Sequence, residues 1–215
     1  MNKNLILIVV TAFLFGMSYT AFSQGISIGA KGGINLASAA LKDINTNGDY
    51  IVGFNTAIPF EIGISKAFAI QPELAFSKKG YGTDYGIIGS STYKLIFTYM
   101  EIPVLFKGGI GGDALKVNFF AGPSIGFAIS GKEVAKAGGQ KFSEKIDLSS
   151  SIFNRLNAEM VFGTEFQKLL GNGHLFLDLR YQLGFTDIWK VDSFSAFHRS
   201  IGMGLGYKHR LTSGS

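Results

Sequence analysis

The chain of 215 residues contains no cysteine. That excludes thiol catalysis, disulfide stapling, thiolate metal sites and lipid attachment to an N-terminal cysteine. Histidine is scarce: His174, His198 and His209 are spread so that they form no metal set. Charged residues make up only 16% of the chain, and its +5 net charge comes with no Lys/Arg-rich block, so a nucleic-acid partner is not expected. There is no G-x-S-x-G elbow, no H-E-x-x-H and no glycine-rich phosphate loop ending in Lys-Ser/Thr. The expectation is therefore a protein that is not an enzyme, with no catalytic residues, cofactor or metal. Beyond the first segment no apolar stretch reaches the ~20 residues of a membrane helix.

That first segment is the exception. "MNKNLILIVVTAFLFGMSYTAFSQG" starts basic at Lys3, runs apolar from Leu5 to about Met17, and continues into "TAFSQ", with Ala21 and Ser23 small. This is the pattern of a secretory signal peptide, residues 1–23, cut after Ser23. A retained helical anchor is the alternative, and the small and polar residues after Met17 argue against it. Export leaves three destinations: periplasmic, secreted or inserted as a barrel.

Glycine is plentiful, with 29 residues, and proline rare, with 4. Glycine inside strands marks bends, bulges and close backbone approach, so the composition suits a curved sheet. Apolar residues recur with a period of two, the mark of strands with two unlike faces. Eight segments show it: 26–37, 50–63, 67–79, 92–107, 115–130, 154–167, 174–188 and 197–210. In the seventh, Leu175, Leu177, Leu179 and Leu183 oppose Asp178, Arg180 and Gln182. Pro72 falls inside the third and predicts a bulge or local break there. Asn47-Gly48 predicts a turn. Residues 80–91 read as a glycine-rich loop, and the charged segment 131–150 as a long loop.

Long and short connections alternate, which in a sequential meander gathers the long loops at one end and the short turns at the other. Small outer-membrane barrels have this layout, with long loops outside and short turns on the periplasmic side. One face of the strands is almost free of charge. The other carries Lys31, Glu61, Glu73, Lys79, Glu101, Lys107, Glu159, Glu165, Asp178 and Arg180, more charge than a sealed apolar core accepts. The reading is all-β: an eight-stranded antiparallel up-and-down transmembrane β-barrel over 24–211, with 212–215 as a short C-terminal tail. A soluble lipocalin-like barrel binding an apolar ligand, with the apolar face inward, is the main alternative, and a two-sheet sandwich a weaker one.

Seven stretches carry a resemblance: "IGAKGGIN" at 28–35, "GFNTAIPFEIG" at 53–63, "AIQPELAFSKKG" at 69–80, "YMEIPVLFK" at 99–107, "FFAGPSIGF" at 119–127, "LRYQLGFTDI" at 179–188 and "IGMGLGYKH" at 201–209. In this order behind a signal peptide, the chain resembles the outer-membrane β-barrel domain of Bacteroidetes proteins, the porin family or PorT-like proteins. The resemblance implies a location in the outer membrane, with membrane lipid and the barrel insertion machinery as partners, and possible involvement in protein export. Outer-membrane barrels commonly end in an aromatic residue. Here Tyr207 is followed by "KHRLTSGS", which places the end of the last strand near Tyr207 or Leu211.

Within an eight-stranded barrel the charged face must fill the lumen. Glu73, Glu101, Asp178 and Arg180 are the candidate lumen network, paired because unpaired interior charges are costly. A largely filled barrel with a structural, assembly or surface-recognition role is the first functional expectation, and a porin-like channel for small solutes the second. The loop charges Lys132, Glu133, Lys136, Lys141, Glu144, Lys145 and Asp147 read as a solvated face, with a protein partner at the long loops as the functional alternative.

Overall fold

The computed structural model describes residues 25–42, 46–84, 92–112, 114–149, 152–190 and 195–212. The expected signal peptide, 1–23, lies outside them. The described strands are β1 (Ile26–Leu41), β2 (Thr46–Asn47), β3 (Ile51–Gly63), β4 (Phe68–Asp84), β5 (Thr92–Gly111), β6 (Leu115–Ala137), β7 (Gln140–Lys145), β8 (Leu156–Leu170), β9 (Gly173–Asp187) and β10 (Ala196–Arg210).

Eight of these form the wall in chain order, β1-β3-β4-β5-β6-β8-β9-β10, every neighbouring pair antiparallel. β10 then pairs with β1 from Ser27↔Arg210 to Leu41↔Ala196 and closes the ring. Closure matters physically, because lipid offers no water to satisfy an open sheet edge. The fold is the eight-stranded antiparallel meander that the two-faced segments predict. Its wall strands, 13 to 23 residues long, exceed the ~9–11 tilted residues needed to cross a bilayer.

The faces point the way the charge argument requires. Ile125, Phe127 and Leu179 are exposed on the outside and Leu177 is half-buried there. Glu73, Glu101, Asp178 and Arg180 are buried inside. This inverts a lipocalin, whose apolar face looks inward, and it excludes the two-sheet sandwich. Glycines on β10 make room for the interior side chains. A Cβ at Gly206 would lie 2.5 Å from the Phe176 ring, and one at Gly204 would lie 3.0 Å from Lys31 Cγ.

Several local expectations need correction. Segment 131–150 is not simply a loop. β6 runs on to Ala137, reverses through Gly138 and Gly139 (φ +56° and +80°) and returns as β7. Two consecutive left-handed residues make a tight hairpin turn that favours glycine at both positions. β4 likewise continues through Gly80 to Asp84, so 80–84 is strand and not loop; residues 85–91 lie outside the described set. At Pro72 the expected interruption takes the form of a local break and not a bulge: the pairs with β3 lapse between Pro59↔Glu73 and Ile62↔Ile70, and those with β5 between Pro72↔Val104 and Ala75↔Glu101. Pro72↔Val104 and Ala75↔Glu101 keep one offset, and Pro72 sits on the outer face. The register shifts occur instead at Thr98/Tyr99 and at Phe197/Arg199. Asn47 belongs to β2, paired with Ala40, so the chain reverses before the Asn47-Gly48 step.

Candidate functional site

The lumen is the site that the fold creates, and it is filled in tiers. Nearest the short-turn end, Lys107 from β5 and Lys208 from β10 each contact both Glu61 of β3 and Glu165 of β8. Lys107 Nζ donates at 2.6 and 2.5 Å, and Lys208 Nζ at 2.5 and 2.9 Å. Gln71 Oε1 accepts from both lysines at 2.9 and 3.2 Å, and Gln167 donates to Glu165.

Gln71 Nε2 leads to the middle tier by donating to Glu73 at 2.7 Å. There Arg180 uses its planar fork twice. Nη1 and Nη2 reach Glu73 at 3.0 and 3.1 Å, while Nε and Nη2 reach Asp178, both at 2.7 Å. Bidentate guanidinium–carboxylate pairs are among the strong charge-assisted hydrogen bonds. Lys31 adds a second cation at 3.5 Å from Glu73 and 3.4 Å from Asp178. The guanidinium also lies over Phe120, 5.6 Å from the ring centroid.

The upper tier has one cation for two carboxylates. Lys79 Nζ is 2.6 Å from Glu101 and 2.5 Å from Glu159. Neutral donors make up the rest: Ser77 to Glu101 at 2.8 Å, Asn157 to Glu159 at 2.7 Å, and Gln182 to both at 3.3 and 3.4 Å. The lower and middle tiers thus balance two cations against two carboxylates, while the upper tier carries one carboxylate in excess.

Toward the long-connection end the interior turns apolar. Leu95, Phe97, Tyr99, Tyr81, Phe153 and Ile188 form a buried cluster, with Ile146, Leu148 and Trp189 packed against it. Phe97 and Phe153 meet edge-on with centroids 5.4 Å apart. Tyr99 hydroxyl and His198 Nε2 lie 3.0 Å apart and join this cap to the polar tiers below. At the short-turn end, a polar cavity of about 370 Å³ opens between Glu61, Lys66, Lys116, Gln167, His174 and Arg210.

Of the four predicted network residues, Glu73, Asp178 and Arg180 meet in one cluster. Glu101 does not join them and pairs with Lys79 one tier above. Lys31, Glu61, Lys79, Lys107, Glu159 and Glu165 are inner-face charges expected from the sequence without partners, whereas Lys208 is absent from that expected set. Parity was the available signal, since Lys208 lies on the same face of β10 as Ser200 and Gly204. The apolar cap was also missed. Its signal is that the Glu101 face of β5 becomes Tyr99, Phe97 and Leu95 as it approaches the long connection.

Chemically the charges of the tiers are paired, while Glu165 Oε2 and Asn157 Oδ1 stay buried without a hydrogen-bond partner. Every interior cation of the three tiers has at least one carboxylate within 3.5 Å. Among the described residues, no three His, Cys, Asp or Glu side chains are placed to hold a metal ion.

Such a barrel, closed, apolar outside and ionic within, defines a class: the membrane-spanning β-barrels. Residues 22–190 match the family model for the outer membrane protein beta-barrel domain, and the chain belongs to that family. Its place is accordingly the outer membrane, with lipid around its apolar belt. No curated protein matches the chain. Among solved structures it is similar to Ail, the attachment invasion locus protein of Yersinia pestis, at 14% identity, covering 86% of this chain and 99% of that one with a TM-score of 0.45. It is also similar to OprG from Pseudomonas aeruginosa, at 12% identity, 87% and 97% coverage and a TM-score of 0.47. A major outer membrane protein from Thermus thermophilus shares 13% identity, with 85% and 99% coverage and a TM-score of 0.43.

Proposed function

We propose that this protein is a filled, non-conducting outer-membrane barrel that acts as a rigid scaffold, with structural or surface-recognition work done by the segments it displays at its long-connection end. The observation that carries this reading is the stacking of three ion-paired tiers under an apolar cap. Ion passage would have to break paired charges in a low-dielectric space, where each broken pair costs several kcal/mol, and then cross a layer built from Leu95, Phe97 and Phe153. The same reading takes the protein to be no enzyme. It assigns export to the 1–23 segment and membrane assembly to the barrel insertion machinery. Kinship with the Bacteroidetes porin-family or PorT-like barrels is part of the proposal, resting on the motif order from 28–35 to 201–209. A porin-like channel is the competing reading.

Planar-bilayer recording of the refolded full chain separates the two. The expected trace shows little steady conductance, alongside a heat-modifiable gel mobility that verifies folding. A large and steady open level from folded protein would reject the scaffold reading and establish the channel.

A further inference from the structure

The β6–β7 hairpin carries its charges in an order that a free solvated loop has no reason to adopt. Cross-strand partners are Lys132↔Lys145, Glu133↔Glu144 and Lys136↔Lys141. All three charged pairs are of like sign, and like charges directly opposite one another destabilise a sheet. Because the strand period is two, Lys132, Lys136, Lys141 and Lys145 share one face, and Glu133 and Glu144 share the other. The four lysines are exposed. Among the described residues none of them makes an ion pair.

The bulge between β5 and β6 decides where that face looks. Thr98 pairs with Ser130, but the next residue of β5, Tyr99, pairs with Ala128, so Ile129 is extra. Ile129 and Ser130 both lie exposed on the outside. A bulge of this kind re-aims the side chains that follow it. Below it, even-numbered residues of β6, such as Asn118 and Ser124, point into the lumen. Above it the odd ones turn inward: a side chain at Gly131 would run into Ile146 and Leu148, which pack on the cap. Lys132 and Lys136 therefore point outward, level in register with Ile96 and Thr92 of β5, on the surface that continues the lipid-facing belt. Lys94, opposite Val134, and Lys78, opposite Thr98, extend the same cationic face. Among the described side chains of β5, β6 and β7 on this face there is no carboxylate.

Height follows from strand geometry. On the outward surface the last apolar side chains are Ile96 of β5, level with Lys132, and Val134 of β6, which lies between Lys132 and Lys136 and is itself buried. Lys132 and its partner Lys145 thus stand at the upper margin of the apolar belt, where the headgroup layer, about 5–7 Å thick on one side of a bilayer, begins. Lys136 lies four residues beyond Lys132, roughly 9–11 Å higher at about 3.3 Å per residue and a tilt of about 35–45°, so Lys136 and Lys141 stand farther out.

We propose that the outward face of the β6–β7 hairpin docks on phosphate groups of the lipid leaflet surrounding the barrel at its long-connection end, with Lys132 and Lys145 gripping a headgroup phosphate and Lys136 and Lys141 serving more peripheral ones. An anion between the paired lysines removes the repulsion that the register builds in. The occupant is a phosphorylated membrane lipid rather than a soluble anion because the lysine face is continuous with the lipid-contacting wall. This inference rests on the membrane placement of the barrel and is independent of whether the lumen conducts.

The absence of cysteine makes the test clean. Ser143 lies between Lys141 and Lys145 on the same face, so Ser143→Cys gives a single labelling site for an environment-sensitive fluorophore. The refolded full chain is placed in phosphatidylcholine vesicles, alone or doped with bisphosphorylated lipid A or with the same lipid dephosphorylated. The expected result is a saturable spectral shift with the phosphorylated lipid only, reduced by salt. Lys132→Gln with Lys145→Gln should weaken the apparent affinity roughly tenfold or more, and Lys136→Gln with Lys141→Gln should weaken it less. Glu133→Gln with Glu144→Gln should leave the shift in place and controls for hairpin integrity. Equal responses to the two lipids, or indifference to both lysine pairs, would overturn the proposal. So would an equal shift from inorganic phosphate added to plain phosphatidylcholine vesicles, which would make the occupant a soluble anion.

Discussion

Removing Arg180 tests the interior most directly. Its guanidinium makes four hydrogen bonds of 2.7 to 3.1 Å to Glu73 and Asp178. After Arg180→Ala, those two carboxylates keep Lys31 at 3.5 and 3.4 Å, and Glu73 keeps Gln71 at 2.7 Å. One cation then faces two buried anions. Breaking a buried pair by deleting one partner costs about 3–5 kcal/mol, and the low end is expected here because Lys31 remains. With an unfolding slope of about 1–3 kcal/mol per molar urea, the midpoint should fall by roughly 1–3 M. The assay is urea unfolding of the refolded barrel in detergent or lipid, read by gel mobility and by β-sheet circular dichroism. Replacing the group together, Arg180→Met with Glu73→Gln and Asp178→Asn, should restore much of the loss, since neutral residues carry no unpaired charge. A midpoint unchanged by Arg180→Ala would refute the claim that this cluster is a tight desolvated network. A triple variant worse than the single one would refute the charge-imbalance explanation.

The other interior predictions compare tiers. Lys107→Met should cost less than Arg180→Ala in the same unfolding assay, because Lys208 makes the same contacts to Glu61, Glu165 and Gln71. Glu159→Gln should be tolerated better than Glu73→Gln, since the upper tier holds two carboxylates for Lys79 alone and the middle tier is balanced; the relative urea midpoints of the two variants check this.

The division between what the sequence shows and what the fold adds is visible in single strands. In β9 the alternation of Leu175, Leu177 and Leu179 with Phe176, Asp178 and Arg180 reveals a two-faced strand, because side chains leave a strand on opposite sides at every step. Charges on one face of nearly every strand imply an ionic interior, because a lipid-facing wall cannot hold them. Chain order with alternating connection lengths then implies a meander. These are local or compositional facts, and the eight-stranded barrel was legible from them.

Pairing between strands is not local. Whether Glu101 meets Arg180 or Lys79 depends on the register and stagger of β4, β5, β8 and β9 around the ring. A period of two sets the face of a residue and says nothing of its height against a neighbour. The hairpin is a sharper case. In the sequence Lys132, Lys136, Lys141 and Lys145 look like loop charges scattered among glutamates; Gly138-Gly139 is a turn signal there, but the register that sets lysine opposite lysine shows only in the fold. One extra residue at Ile129 turns them outward, and a bulge leaves no sequence signal when both flanking segments still alternate. The sequence by itself determined the class of fold and most of the charges that face inward, because period and polarity are carried by neighbours along the chain. Only the tertiary structure decided which charges meet, where the lumen becomes dry, and that four lysines stand together on one outward face, because those outcomes depend on register, closure and a single bulge.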